Sequence, residues 1–471
     1  MSFPAHVFRE YDVRGVADRD LTDSFALALG RAFAEILARS APAGSAPRRV
    51  AVGRDGRLSS PRLFENLTRG LQEGGAHVID VGIGPTPLLY FAAHHEGTDG
   101  AVQITGSHNP GEDNGFKMMR GKASFYGADI QELRAVMQAP AAPAERGAMT
   151  SRDISDAYVE AVRKASRLEG LTVPRVVVDA GNGAAGPLGV RTLEALGIEV
   201  DPLFCDIDGT FPNHHPDPTV VENLEHLRDR IAKTGAALGI AWDGDGDRIG
   251  AMDEKGEVIW GDKLMILFSR VVLGEHPGAT ILGEVKCSET LFADVTARGG
   301  KALYSKTGHS LIKSKMKAEG ALLAGEMSGH MFFADRYFGY DDAIYAAIRL
   351  LEIVAKEKRP LSSLLADVPE THATPELRFP CPDEKKFEVV KGVQEHYKKT
   401  HRVLDLDGAR IDFGDGAWGL CRASNTQPVL VLRFEARTAQ RRDEIRREVE
   451  SFVGQIVGKA SGIVGDAASA S

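Results

Sequence analysis

Three times in this chain a short apolar run leads through a glycine-bearing loop into an amphipathic stretch and then into a second apolar run. Arg49-Val-Ala-Val-Gly53 precedes a helical pattern over 60–73 and an apolar run over 77–81. Arg175-Val-Val-Val-Asp179 leads to 188–196 and then 199–204, and Thr280-Ile-Leu-Gly283 to 289–297 and then 301–304. Strand, loop, helix and strand, repeated at roughly domain-sized intervals, predict three related α/β domains. The last part differs in kind. Short alternating runs, 403–412 and 429–434, precede one long charged helical pattern over 439–456, which predicts a smaller C-terminal α+β domain. At 471 residues the chain is too long for a single core, and three or four domains fit the usual domain size.

Boundaries follow from composition. Gln138-Ala-Pro-Ala-Ala-Pro-Ala-Glu145 reads as a linker, Asp253-Glu-Lys-Gly256 as a turn near a second boundary, and 368–374 as a third. The expected domains are 1–149, 150–254, 255–368 and 369–471, with a disordered tail over 465–471. Thr22 or Asp23 is placed to cap a helix whose Phe25, Leu29, Phe33, Ile36 and Leu37 share one face; that helix is core. Before it, Phe8-Arg-Glu-Tyr-Asp-Val-Arg-Gly15 reads as an apolar and aromatic run ending in a glycine turn.

The formal charge of −9 argues against nucleic acid or an anionic membrane as the main partner. An anionic small substrate remains open, because a local group of Arg and Lys outweighs distant charge within a Debye length. Cys205, Cys287, Cys381 and Cys421 are scattered and form no CxxC pair, so neither a zinc site nor a disulfide framework is expected, and a reducing cytoplasm is the default. The N-terminus lacks a basic region followed by an apolar run, and no stretch is long enough to span a bilayer. Asn66-Leu-Thr68 has the form of a glycosylation acceptor, which carries no meaning in a cytoplasmic protein.

Four loops carry the chemistry. In Ala101-Val-Gln-Ile-Thr-Gly-Ser-His-Asn-Pro110 a buried strand ends in a turn that offers the hydroxyl of Ser107 where open α/β sheets place their active sites. Ser-His invites a hydrolase reading, but neighbours in an extended chain point to opposite sides, which would leave His108 badly placed to deprotonate Ser107. The strand 237–242 empties into Asp243-Gly-Asp-Gly-Asp-Arg248. Three carboxylates at alternate positions can converge on one point and need a cation to coexist; oxygen ligands favour Mg²⁺ or Ca²⁺. An EF-hand is the rival, since Asp243, Asp245, Asp247 and Glu254 fall at its ligand positions, but Arg248 replaces the required glycine and a strand precedes the loop. Gly325-Glu-Met-Ser-Gly-His330 offers a carboxylate and hydroxyl suited to sugar hydroxyls, and Lys306-Thr-Gly-His309 adds a cation and an imidazole. Arg422-Ala-Ser-Asn-Thr-Gln-Pro428 supplies the guanidinium and clustered donors a phosphate needs. One decoy remains. Asp206-Ile-Asp-Gly-Thr210 matches the nucleophile motif of haloacid dehalogenase-like phosphatases, although a proline-rich connection follows it instead of a helix.

In that order and spacing, the serine, metal, sugar and phosphate loops resemble those of the α-D-phosphohexomutase superfamily, from the first motif to the last. The resemblance implies four domains around a central cleft, three α/β with mixed sheets and the last α+β. It implies interconversion of hexose 1-phosphate and hexose 6-phosphate through a phosphoserine and a hexose 1,6-bisphosphate intermediate. By the same resemblance Ser107 carries the phosphate and, with Asp243, Asp245 and Asp247, binds Mg²⁺. Arg14, Lys117 and Arg248 surround the transferring group, with Tyr11 on the same wall, and His108, His309 and His330 complete the catalytic set. Lys286, Thr307, Gly308 and His309 would contact substrate, Glu326 to His330 (with Met327, Ser328 and Gly329) would grip the sugar, and Arg422, Ala423, Ser424, Asn425 and Thr426 would hold the other phosphate. The Gly-Glu-Met-Ser-Gly-His form resembles the branch that accepts both glucose and mannose. The expected partner is a small phosphosugar, with no nucleic acid or membrane, and the chain a monomer or weak homo-oligomer.

Overall fold

The computed structural model describes residues 3–40, 42, 45–139, 144–424 and 427–460. Four sheets follow one another along the chain. The first runs Val13–Val16, Asp113–Arg120, Gly100–Ile104, Arg49–Arg54, His77–Ile83 and Met149–Ser151, with Ala123–Ser124 beside Asp113–Arg120. Its inner strands Gly100–Ile104, Arg49–Arg54 and His77–Ile83 are parallel, and Asp113–Arg120 is antiparallel to its neighbours. The second sheet orders Val258–Ile259, Ile249–Asp253, Leu238–Trp242, Val176–Asp179 and Val200–Leu203; the third orders Lys301–Ser305, Thr280–Glu284, Leu323–Gly325 and Met331–Phe333. Both mix parallel and antiparallel pairs. The fourth sheet is antiparallel, with Val429–Ala436 and Trp418–Ala423 at its centre, and helices Lys386–Tyr397 and Ala439–Ala460 pack on it.

The apolar runs become strands because they are buried on both faces: every residue of Gly100–Ile104, Val176–Asp179 and Leu238–Trp242 is buried. Thr22 caps the helix Asp23–Arg39 by accepting from Phe25 N at 3.3 Å. The first sheet reaches Ser151 and the second Ile259, a few residues past the expected 149/150 and 254/255 boundaries, because ladder pairing continues beyond the turns. The segment expected to turn at Gly15 instead forms the strand Val13–Val16, with Arg14 opposite Gly115. The turn comes later, where Asp20 accepts from Val16 N at 3.1 Å. Part of the expected linker, residues 140–143, and the expected tail lie outside the described residues.

One apolar cluster runs through the first three units. It joins the helix Thr86–His95 and the strands Val176–Asp179 and Leu238–Trp242 to the helices Gly261–Glu275 and Ala343–Glu357. The fourth unit has a core of its own and meets the third through a small apolar cluster of Val285, Trp418 and Leu420 flanked by buried polar contacts. There the Arg410 guanidinium lies 3.6 Å from the Trp418 ring and donates to Val285 O and Cys287 O, while Glu435 accepts from Trp418 Nε1 and Ser288 Oγ. The chemistry-bearing loops leave the ends of strands in all four sheets. Among the described residues no helix is long and apolar enough to cross a membrane.

Candidate active site

Ser107 sits just past the strand Gly100–Ile104 in a left-handed conformation, φ 51°, uncommon for a residue with a side chain. Thr105 Oγ1 accepts from Ser107 N at 2.8 Å and steadies the turn. This geometry corrects the extended reading of Ser-His. The left-handed residue swings His108 back, so that its Nδ1 lies 3.1 Å from Ser107 Oγ. Burial, with Arg248 and Arg14 nearby, pushes that imidazole well below its ordinary value and keeps it neutral at pH 7. The hydroxyl has a second acceptor in Asp243 Oδ2, 3.0 Å away.

Asp243, Asp245 and Asp247 are all fully buried and offer oxygens within 4.8 Å of one another. The loop folds tightly because Asp243 Oδ1 accepts from the backbone N of Asp247 and Arg248, each at 3.1 Å. Lys117 Nζ donates to Asp245 Oδ2 at 2.7 Å and Asp247 Oδ2 at 2.5 Å. Burial alone would favour the neutral amine, but the three carboxylates win and raise its pKa. Asp243 is driven well above its ordinary value by burial and by Asp245 and Asp247. Among the described residues Asp245 Oδ1 has no hydrogen-bond donor, and Asp247 Oδ1 has only the His330 ring, 3.2 Å away. Buried, repelling, under-satisfied carboxylate oxygens, three of them converging from Asp243, Asp245 and Asp247, fit a hard divalent cation, although the imidazole of His330 also borders Asp247. The loop is also held from outside: Thr86 donates through N and Oγ1 to Asp245, and Ala343 N donates to Gly246 O at 3.2 Å.

The sugar loop is stitched to the exit of the metal loop. Ile249 N donates to Gly329 O at 3.0 Å and Arg248 bridges His330, at a contact so close that a side chain on Gly329 would meet Ile249 O at 2.3 Å. His330 spans the two loops, Nδ1 2.7 Å from Glu326 Oε2 and Nε2 3.2 Å from Asp247 Oδ1. Burial pulls its pKa down, but Asp247 and Glu326 outweigh this and push it up to about 9. Glu326 in turn is held at about 2, the His330 charge overcoming burial, and its Oε1 accepts from Gly308 N at 2.6 Å. The His309 and His330 rings stack with centroids 5.6 Å apart, and Tyr11 OH donates to Thr307 O at 2.8 Å. Ser328 Oγ lies 3.3 Å from His330 Nδ1, and Met327 N donates to Glu284 Oε1 at 3.2 Å.

The fourth sheet brings its loop to the same place. Arg422, buried at the end of Trp418–Ala423, donates through Nε to Asp407 Oδ2 at 3.1 Å, and the other side of that oxygen accepts from Thr307 N at 3.0 Å. Ser424 Oγ accepts from Gln427 N, closing the loop; Asn425 and Thr426 lie outside the described residues. Lys286 Nζ is 2.9 Å from Glu376 Oε2 and 3.5 Å from Glu284 Oε1. On the opposite wall Arg14 donates to Asn109 Oδ1 at 3.0 Å and to Asp12 Oδ2 at 2.6 Å.

Sequence comparison places this arrangement. Residues 5–142, 156–256 and 260–372 match the phosphoglucomutase/phosphomannomutase alpha/beta/alpha domains I, II and III, and 376–451 match that family's C-terminal domain. A phosphomannomutase/phosphoglucomutase of Pseudomonas putida is 46% identical over 441 residues, covering 92% of each chain. The chain belongs to the phosphoglucomutase/phosphomannomutase family. A phosphoglucomutase of Neisseria gonorrhoeae is 42% identical over 457 residues, covering 96% of this chain and 97% of its own. The crystal structure of a phosphoglucomutase/phosphomannomutase family protein from Burkholderia thailandensis superimposes with a TM-score of 0.88 at 40% identity, over 96% of this chain and 98% of that one.

Within this mutase framework several polar residues of the site carry no sequence signal of their own. Asp341 is fully buried, 3.5 Å from His309 Nδ1 and 2.8 Å from Lys313 Nζ, yet Asp341-Asp342 reads as a helix start, which Asp342 indeed supplies by accepting from Tyr345 N. Glu284, Asp407 and Glu376 are lone acids that only the fold brings to the loops. The two decoys fall away. Glu254 is half-buried, accepts from Ser362 N at 3.2 Å and stands outside the cluster of Asp243, Asp245 and Asp247, and Asp206 is exposed on a loop where Asp208 is engaged by Thr210.

Proposed function

We propose that this chain interconverts hexose 1-phosphate and hexose 6-phosphate, of glucose and mannose, with Ser107 as the phosphate carrier. The observation that supports this most is the meeting of Ser107 Oγ with Asp243 Oδ2, 3.0 Å apart, beside the under-satisfied triad. The two ends of a hexose are too far apart for direct transfer. A phosphoserine therefore gives its phosphoryl group to a free sugar hydroxyl: a new sugar O–P bond forms, and the P–Oγ bond breaks with its electron pair left on Ser107 Oγ. The hydroxyl proton passes to a base of the site while Oγ regains a proton, so that the serine hydroxyl is restored. The resulting hexose 1,6-bisphosphate turns over and the reverse step returns phosphate to Ser107 from the other end.

Mg²⁺ held by Asp243, Asp245 and Asp247 would offset the charge that develops on the transferring group. Lys117, Arg14 and Arg248 add fixed positive charge on the same side. The His309 ring, which burial holds neutral, is the candidate acceptor for the hydroxyl proton, while His330, held charged between Asp247 and Glu326, contributes positive charge beside it. Glu326 and Ser328 take the 3- and 4-hydroxyls, leaving the 2-hydroxyl, which distinguishes glucose from mannose, ungripped. Lys286 and the loop from Arg422 bind the phosphate that is not transferred.

Tandem mass spectrometry before and after glucose 1,6-bisphosphate, with a hydroxylamine-treated aliquot, tests the reading. Phosphate on Ser107 that survives hydroxylamine is expected. A hydroxylamine-labile phosphate on Asp206 would transfer the chemistry to an aspartyl-phosphate mechanism, and none under either condition would make the protein a binder.

A further inference from the structure

Beneath the serine loop lies the guanidinium of Arg57, 1% exposed, in the turn between the strand Arg49–Arg54 and the helix Ser60–Glu73. Nη1 donates to Pro110 O at 2.5 Å and Asp113 O at 2.9 Å; Nη2 donates to Ser107 O at 2.7 Å and Asn109 O at 2.6 Å. Two terminal nitrogens carry four hydrogens, and all four meet a carbonyl of one loop. The third nitrogen, Nε, lies 3.2 Å from Asp55 Oδ2 as an ion pair without hydrogen-bond geometry, and that oxygen accepts from Gly106 N at 3.2 Å. Asp55 Oδ1 is fixed by Arg57 N and Ser60 Oγ. Two further carbonyls of 107–113 are engaged from elsewhere, His108 O by His215 Nε2 of the second domain and Glu112 O by Ala17 N at 2.9 Å.

Residues 105–112 are neither helix nor strand, so apart from Asp113, which enters the ladder of Asp113–Arg120, this backbone has no ladder to define it. It nevertheless holds a serine at positive φ, a conformation costly enough that its surroundings must impose it. The rigid planar fork of arginine suits that task, because it fixes the relative positions of several acceptors at once. A lysine ammonium concentrates three donors on one nitrogen and cannot span the same four.

We propose that Arg57 is a positioning residue for phosphoryl transfer: it sets the backbone of 107–113 and so aims Ser107 Oγ at the carboxylate triad. The proposal rests on the reading of Ser107 as phosphate carrier. It separates presentation of the serine, which Arg57 governs, from capture of the sugar, which belongs to the loops of the third and fourth domains.

Two variants test it by different routes. Arg57→Lys keeps the charge and removes the fork. Gly106→Ala keeps Arg57 but places a Cβ 2.5 Å from its Cζ, which displaces the guanidinium from the loop. Intact-protein mass spectrometry times the arrival of phosphate on Ser107 from glucose 1,6-bisphosphate, and calorimetry measures glucose 6-phosphate binding. Both variants should load about 100-fold more slowly, the cost of a misplacement on the order of 1 Å. Both should bind glucose 6-phosphate within about twofold of the wild type. Loading near the wild-type rate in both overturns the proposal. Parallel loss of loading and binding in both overturns it too, because that is the signature of general unfolding. A wild-type protein that never carries phosphate on Ser107 refutes the carrier reading instead.

Discussion

Replacing Gly244 with alanine should part the two loops that the chemistry needs in contact. A Cβ built on Gly244 would lie 2.4 Å from Ser107 O, 3.2 Å from Ser107 C and 3.3 Å from Pro216 Cγ. The nearest atom is backbone, so no change of rotamer relieves the clash. Ordinary contact begins at 3.4 Å, so the serine and metal loops must separate by about 1 Å. A displacement of that size in a reacting constellation costs roughly 100-fold in kcat. The overpacking itself should cost about 1–3 kcal/mol of stability, which a melting curve of the variant reads directly. Glu326, Ser328 and Arg422 are untouched, so KM for glucose 1-phosphate should stay within about twofold. A coupled assay that oxidises glucose 6-phosphate gives both constants, and metal titration by calorimetry reports on the triad. A kcat within about threefold of the wild type, with unchanged metal affinity, would refute the argument that this contact sets the rate.

Glu376 pairs with Lys286 at 2.9 Å and is held at about 2 chiefly by that charge, so an arriving phosphate must compete with it. Glu376→Gln should lower KM for glucose 1-phosphate by about threefold to tenfold with little change in kcat, as expected for one partly buried ion pair removed; a raised KM would show that Glu376 supports the lysine instead. Mg²⁺ at about a hundredfold excess over its Kd should stabilise the protein by roughly 2.7 kcal/mol, seen as a higher melting temperature. That gain should shrink as pH falls. The folded pKa of Asp243 is raised by burial and by its two neighbours, so the metal-free protein is stabilised by protonation in acid and loses that as pH rises through the folded value. The cation must expel this proton, and a gain independent of pH would contradict the repulsion described for the triad.

Much of this architecture is legible in sequence because burial writes itself into composition. The runs that became Val176–Asp179 and Leu238–Trp242 are apolar up to the terminal Asp179 since both faces are covered, and the metal loop declares itself through alternating Asp and Gly. Other features are silent for equally physical reasons. The backbone angle of Ser107 depends on Arg57, Thr105 and Gly244, which are separated in sequence, so His108 was placed on the wrong side by local geometry alone. Gly15 suggests a turn, but pairing with Asp113–Arg120 overrides it. Asp341 and Asp342 are neighbours with one sequence pattern and two different tasks, and only packing assigns them.

The metal loop belongs to the second sheet, yet Thr86 reaches it from the first domain and Ala343 from the third, where Trp242 Nε1 also donates to Ala343 O at 3.2 Å. Recombination among relatives is constrained accordingly. A chimaera that exchanged the first or third domain for a homologous one would replace partners of the loop while leaving its three aspartates intact, and the junction would look clean in an alignment. Parts that can be recognised one by one in this chain must therefore be inherited together.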